Sequence, residues 1–408
     1  MKILIVGHAC CPHMGSEPGF TWNYSWTLAA EHEVFVIAHP QFRAKVDQFL
    51  EQHAPRRIQI LWVDVPAAIN PWKPGRGERW IRLHYLLWNR AACKAAKELL
   101  SKVPIDVAHH ISWGTISAPP FLWKLSPPFV WGPVGGGQVA PPRFSKYFGS
   151  QWPMELARST RVRGLPLLPS VRRVARSAAR ILATNNETAE VLHSAGARAV
   201  ELRLDSGLTC DRIVDQVPLR DHQGLTLLWA GRLERRKALP LVLEALAQCR
   251  ESPMRLLVAG EGPMRSQWEQ LAASLGLQDR VQFVGHRSWP DLTNLFRTAD
   301  AFIFSSLRDS FGSVVLEAMG HGLPIITLDH QGVGTFVPDN AGVKVPVTTP
   351  AETVQALVSA ARDLLQAPHQ LREKGREAWL FAREHTWDRR VQDMLALYRE
   401  IVHESCPV

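Results

Sequence analysis

Residues 305–325 read Ser305-Ser306-Leu307-Arg308-Asp309-Ser310-Phe311-Gly312-Ser313-Val314-Val315-Leu316-Glu317-Ala318-Met319-Gly320-His321-Gly322-Leu323-Pro324-Ile325. The apolar run Ala301 to Phe304 before them reads as a buried strand. Asp309, Ser310 and Gly312 make a polar turn, and Ser313 to Met319 reads as a short helix stopped by Gly320, Gly322 and Pro324. A second apolar run, Leu323 to Leu328, follows as the next strand. One carboxylate, Asp309, thus falls in a strand-to-helix loop and another, Glu317, one turn into the helix. The loop's free backbone N–H groups favour an anion such as a phosphate. A carboxylate accepts two hydrogen bonds side by side, which suits a sugar diol. Together these groups suggest a nucleotide-sugar pocket, against the plainer reading of a helix-capping Asp and a solvated Glu.

Outward from this stretch, the chain alternates strands with helices. Ile3 to Val6 is a strand, followed by a loop through Pro12, Gly15, Pro18 and Gly19. A helix over about 20–31 and a strand, Glu33 to Ala38, complete the opening of a doubly wound sheet. Further strands are predicted at 58–65, 105–110, 128–131 and 181–184. A proline-rich stretch, 140–170, reads as loop or insert. A second series opens at Leu225 to Ala230 and runs through 255–259, 281–284 and the stretch above. The C-terminal helices are predicted at 351–366, 370–384 and 387–403.

The 408 residues include 47 basic and 38 acidic side chains, a formal net charge of +9, which fits an acidic ligand or an anionic surface. No apolar run reaches the ~20 residues of a membrane span. Six cysteines without C-x-x-C spacing fit a reducing compartment. His8, Cys10, Cys11 and His13 cluster in sequence, but adjacent cysteines are poor partners for one tetrahedral ion, so no metal is expected. Among 15 tryptophans, several fall in 72–90, interleaved with arginines. That segment reads either as a helix packing Trp80, Leu83, Leu87 and Trp88 on the core or as a membrane-surface contact. Arg172, Arg176 and Arg180, four apart, read as a solvated face or a lipid-phosphate contact.

The 309–324 pattern resembles that of the family 4 retaining glycosyltransferases, E-G-F-G-x-x-x-x-E-A-M-A-x-G-x-P. Asp309 stands at the first acid, Glu317 at the second, and Phe311, Gly312, Ala318, Met319, Gly322 and Pro324 at the rest. Asp for the first Glu and Ser310 for the following Gly are departures. The resemblance implies the GT-B fold, two doubly wound Rossmann-like α/β domains facing across a cleft. It places a first domain at 1–208, a linker at 209–224, a donor domain at 225–384 and a helix at 385–408 that crosses back.

It also implies roles. Gly231-Arg232 and Lys237 resemble G-R-[LF]-x-x-x-K-G, with Ala238 for the last Gly; Arg232 and Lys237 would hold the donor's diphosphate. Arg235 and Arg236 read as solvated. Asp309 would hold the transferred sugar and Glu317 the ribose. Gly262 belongs to a G-x-G-P match, and Arg287 lies where relatives hold the base. Ser310, Phe311, Gly312 and Ser313 line the donor loop. Gly15 and Ser16 stand at the family's Gly-Gly pair, which approaches the donor's phosphates and the acceptor, and so would be donor-binding. His110 is the candidate for the family's sugar-facing histidine, with His109 beside it on the opposite face of the strand. Gln331 to Gly334 occupy a G-G-x-x-E position without the acid and receive no role.

The activity implied is a retaining, metal-independent transfer, needing no cofactor. The sugar passes from a nucleotide diphosphate sugar, UDP or GDP preferred, to a saccharide or lipid-linked acceptor in surface polysaccharide or glycoconjugate synthesis. The expected location is cytoplasmic, with peripheral contact at the inner membrane face and no nucleic-acid partner. The alternatives are a nucleotide-sugar-binding protein without turnover, and an epimerase or phosphorylase on the same fold.

Overall fold

The computed structural model describes residues 1–75, 77, 79–218 and 224–405, and within helices and strands the Ser16 side chain also lies outside the description. It divides into two units, one of 1–137, 161–207 and 387–408 and one of 138–160 and 208–386.

In the first unit seven parallel strands lie in the order β3-β2-β1-β4-β5-β6-β7. They are β1 (Lys2–Val6), β2 (Glu33–Ala38), β3 (Ile58–Trp62), β4 (Val107–His110), β5 (Phe129–Val134), β6 (Arg180–Ala183) and β7 (Val200–Leu202). Alternate residues serve opposite faces. Leu4 and Val6 pack with Phe35, Ile37, Tyr85 and Trp88, while Ile3 and Ile5 pack with Val34, Val36, Trp22 and Tyr24. The central strands β1, β2 and β5 are buried on both faces and read as nearly continuous apolar runs. The helix Trp387–Ser405 closes the second face through Val391, Met394, Leu395, Tyr398 and Ile401.

In the second unit six parallel strands follow the order β10-β9-β8-β11-β12-β13. They are β8 (Leu225–Ala230), β9 (Met254–Ala259), β10 (Val281–Gly285), β11 (Ala301–Phe304), β12 (Ile325–Leu328) and β13 (Gly342–Val345). Both sheets are doubly wound, as the α/β reading expects. The order reverses direction between β1 and β4 in one and between β8 and β11 in the other, and ligands of such sheets sit at these switch points.

Several local expectations are corrected. The first helix starts earlier, at Ser16, and ends at Leu28. Residues 145–164 are largely helical, with helices at Ser145–Phe148 and Trp152–Gly164, and Ala140, Phe144, Tyr147 and Phe148 join the second unit's core rather than the first's. The helix Ile81–Leu100 buries His84, Tyr85 and Trp88, while Trp80 is 56% and Leu83 44% exposed. Of the expected Trp80, Leu83, Leu87 and Trp88 face, Trp88 packs on the core and Leu87 partly so, while the centre of the buried face lies about one residue round the helix from Trp80 and Leu83. Arg180, expected on one face with Arg172 and Arg176, lies instead in β6, where Glu201, Glu400 and Glu404 surround its guanidinium. Residues 219–223 of the expected linker lie outside the described residues.

Candidate active site

The second unit's switch point gathers a cluster of charged side chains. After β8 the chain makes a tight 3-10 turn, Arg235–Lys237, ended by Ala238 in a left-handed conformation (φ 47°). After β11 it continues through Ser305 to Asp309. Hydrogen bonds tie these loops together. Leu307 N–H donates to the Arg236 carbonyl (2.8 Å), and the Ser305 hydroxyl donates to the Lys237 carbonyl (2.9 Å) and accepts from Trp229 Nε1 (3.1 Å). The turn's geometry sends Lys237 inward, 9% exposed, onto the Asp309 carboxylate.

Asp309 Oδ2 accepts from Lys237 Nζ, from Arg236 Nη1 (3.2 Å) and from the Ser306 hydroxyl (3.4 Å). Burial alone would raise the Asp309 pKa, but Lys237 and Arg236 outweigh it and hold the carboxyl below its ordinary range. Asp309 Oδ1 accepts only a 3.2 Å contact from Ser310 N–H among the described hydrogen bonds. Arg236, expected in solvent, is thus half-buried and paired. It also donates to the Arg308 carbonyl (3.2 Å) and, through Nε, to Glu234 (2.9 Å). Arg232 is the outlying cation: its side chain is 70% exposed, with Nε 3.2 Å from Glu234 Oε1.

Gln331, to which the sequence assigned no role, supports this loop. Its Oε1 accepts from the Asp309 N–H at 2.7 Å, and its Nε2 donates to the Leu307 and Val139 carbonyls, both 3.2 Å. The next residue, Gly332, lies so close that a Cβ there would fall 1.6 Å from the Ser310 carbonyl oxygen. Nothing local marks Gln331; its role arises because the segment after β12 returns beneath the loop after β11.

Gly312, at φ 98°, begins the helix Ser313–Gly320 without a side-chain cap hydrogen bond. Phe311 is buried and anchors the loop; Ser310 and Ser313 are half-buried. Glu317, on the first turns of this helix, faces Arg212 (3.5 Å), which lies 4.1 Å over the Trp289 ring. Burial pushes the Glu317 carboxyl up to about 7 against the pull of Arg212. Gly231 and Gly262 follow β8 and β9 at the same edge, and Arg287 is exposed after β10.

The first unit holds the other expected residues. Gly15 precedes the first helix, and Glu17 in its first turn accepts from the Gly114 N–H at 3.0 Å, joining the loops on either side of the β1/β4 switch point. Burial raises the Glu17 carboxyl to about 7. His110 is 1% exposed, with Nε2 2.9 Å from the Tyr85 hydroxyl. Burial first, then His109, lowers its pKa to about 3, so the ring is neutral. His109, facing the other way, contacts Tyr398 and the Gly132 carbonyl. His13, which sequence grouped with His8, packs on Phe49 instead (5.3 Å).

Residues 212–378 match the family model of the glycosyl transferases group 1. A D-inositol 3-phosphate glycosyltransferase of Salinispora tropica is 34% identical over 200 residues, 45% of this chain and 40% of that protein. The chain thus spans less than half the length of this relative. Among solved structures, a sucrose-phosphate synthase from Thermosynechococcus elongatus has a TM-score of 0.68 at 18% identity, covering 99% of each chain. The Anabaena HepE, solved in complex with UDP, has a TM-score of 0.61 at 17% identity, covering 97% of this chain and 100% of that one. The fold is GT-B, and both stretches that carry Lys237, Asp309 and Glu317 lie within the family match.

Proposed function

We propose, for a chain whose residues 212–378 belong to the group 1 glycosyl transferases, a metal-independent retaining transfer from a nucleotide diphosphate sugar, a UDP sugar first among candidates. The observation that carries it is the Lys237–Arg236–Asp309 cluster at the β8/β11 switch point, with Glu317 one helix on. As the glycosidic bond breaks, negative charge grows on the diphosphate. Fixed cations and loop N–H groups stabilise that charge most where water is excluded. Lys237 takes this part, with Arg232, exposed and long, closing on the diphosphate. Asp309 keeps Lys237 in place through Oδ2 and offers Oδ1 to a sugar hydroxyl. Glu317 takes the ribose diol. Ser310 to Ser313 supply backbone N–H groups at the start of the Ser313–Gly320 helix.

No enzyme nucleophile stands beside these groups among the described residues. The route assigned is the one the family resemblance implies, front-face attack in which the leaving phosphate accepts the acceptor's proton. His110 is assigned to holding Tyr85 and the loop after β4 rather than to the sugar. Gly15 and Glu17, on the first unit's own switch point, form the acceptor side.

A lipid-linked acceptor is favoured by side chains exposed in two stretches of the first unit, 79–86 and 163–172. Trp80, Leu83, Leu86, Leu167 and Leu168 are exposed, among the exposed Arg79, Arg82, Arg163 and Arg172. Apolar side chains set among basic ones suit an anionic bilayer face. Flotation with anionic vesicles at low salt should retain the protein, and failure to bind would remove this part of the reading.

The central test is a thermal-shift screen of UDP-, GDP- and ADP-sugars, with and without EDTA, on wild type and Lys237→Ala. An EDTA-insensitive shift with one nucleotide, absent in the variant, is expected. NMR of the product's anomeric proton then checks retention. A folded wild type that no nucleotide sugar stabilises would favour a protein without turnover. Consumption of the sugar nucleotide with no acceptor present would favour an epimerase.

A further inference from the structure

Parallel register gathers a second cluster at the C-terminal edge of the first unit's sheet. Val6 pairs with Ile37, so two residues on His8 and His39 stand side by side, and the His39 N–H donates to the His8 carbonyl at 3.0 Å. Their rings stack with centroids 4.9 Å apart. Ala38 pairs with Trp62, and just past β3 Asp64 brings a carboxylate oxygen 3.1 Å from His39 Nε2. The first turn of the helix Ile81–Leu100 lowers His84 onto the pair, its Nε2 3.2 Å from His8 Nε2. One ring nitrogen from each histidine lies within 4.8 Å of the other two. The three are buried, at 2%, 2% and 0% exposure, behind Trp72, Tyr85, Trp88 and Trp113.

The hydrogen bonds around His84 set its tautomer. Asn70 Oδ1 accepts from the Trp72 N–H (3.1 Å), which fixes the amide's orientation, and lies 2.8 Å from His84 Nδ1. His84 Nδ1 therefore carries the proton and Nε2 presents its lone pair to His8. A ligating imidazole is usually held this way, by an acceptor on its far nitrogen. Metal–nitrogen bonds of about 2.0–2.1 Å at a tetrahedral angle put ligand atoms about 3.3–3.4 Å apart, close to the spacing His8 and His84 already have.

We propose that His8, His39 and His84 form a site for a divalent transition ion of zinc type, with Asp64 as its carboxylate partner. Three neutral imidazoles are the ligand set such ions prefer, and one carboxylate offsets half of the ion's charge. Binding moves the His8 Nε2 proton to Nδ1. It costs His39 one present contact, either the 3.2 Å bond from Gln41 N–H to Nδ1 or the donation to Asp64. The ion would tie the ends of β1 and β2 to the segment 64–84, which carries Trp72 and Trp80. Its role is structural, independent of the glycosyl-transfer reading and of any donor bound by the second unit.

Cobalt(II) replaces zinc in such sites and reports tetrahedral geometry by visible absorption. The full chain, stripped with a chelator and dialysed, is titrated with Co(II); a second portion is reloaded with zinc and dialysed again, and the zinc retained is measured by elemental analysis. One equivalent of each ion, intense Co(II) absorption, loss of both in His84→Gln and retention of both in His13→Gln are expected. Asp64 is 48% exposed at its side chain, so Asp64→Asn should fold and weaken Co(II) about tenfold or more. A folded wild type that retains no zinc and shows no Co(II) absorption overturns the proposal. So does absorption that Asp64→Asn and His84→Gln leave unchanged, which would place the ion elsewhere.

Discussion

Glu317→Gln offers a test of the donor site through the protein's own stability. The Glu317 carboxyl sits near 7 in the fold against an ordinary value of 4.5, because burial disfavours its charge more than Arg212 restores it. A folded-state pKa above the unfolded one means that the folded chain binds more protons between those values. Stability is therefore fully present below about 4.5 and falls as pH rises to about 7. The interval of some 2.5 units corresponds to about 3 kcal/mol at 1.36 kcal/mol per unit. Glutamine has the same shape and no charge to bury, and Arg212 keeps its place over Trp289. Near pH 5 the variant should match wild type. At pH 8 it should be more stable by up to about 3 kcal/mol, roughly 6–12 °C in the second unit's transition. Calorimetry at both pH values reads this directly. A ribose diol donating to the carboxylate favours its ionised form, so wild-type affinity for a nucleotide sugar should rise from pH 5 to 7, and the variant's should not. Stability profiles of wild type and variant that run parallel from pH 5 to 8 would refute the reasoning.

Other residues carry further predictions. Lys237→Ala should abolish the nucleotide-sugar thermal shift and lower kcat by about 10²–10³, the usual cost of one charge-stabilising donor, read by product formation. Arg236→Gln removes one of the two cations that keep Asp309 ionised. The Asp309 carboxyl should therefore titrate higher in the variant than in wild type, read by NMR of the labelled side chain, and an unmoved titration would refute the pairing. Gly332→Ala places a methyl where the Ser310 carbonyl lies and should displace the donor loop, weakening nucleotide binding at least about tenfold while circular dichroism stays native.

Much of the fold was legible because its strands are buried on both faces. Ala301 to Phe304 is an unbroken apolar run and Leu225 to Ala230 is apolar but for Thr226, and the glycines and polar turns after them mark where each strand gives way to a loop. Registers along those runs then follow from parallel pairing. Residues 138–160 were misjudged for a physical reason. Their prolines suggest loop, yet Phe144, Tyr147 and Phe148 are spaced to bury one apolar side against β8 and its neighbours, a contact with no local sign. In the basic-aromatic segment Trp88 was read onto the core correctly, but Trp80 and Leu83 were not. Its polar-looking His84 is buried, because Asn70 and His8 satisfy the ring, while Trp80 lies outside.

At the donor site, sequence named the charges but not their partners. Arg235-Arg236-Lys237 gives no phase by itself. A 3-10 turn completes a revolution in about three residues, so consecutive side chains fan out around it. Lys237 and Arg236 reach Asp309, and the carbonyls of both residues are held by the loop after β11. The two departures from the family pattern meet in the same few ångströms. Ala238 takes the left-handed turn usually given to glycine, at a strain of order 1–2 kcal/mol, and its methyl is wholly buried. Asp309, one methylene shorter than Glu, engages the turn that Ala238 ends, and Gln331 holds its backbone from below. The shorter acid draws its strongest contacts from the protein's own cations, and Oδ1 remains the atom through which it can read a sugar. On this geometry the substitution narrows Asp309's reach while strengthening its hold on Lys237, the residue proposed to meet the diphosphate.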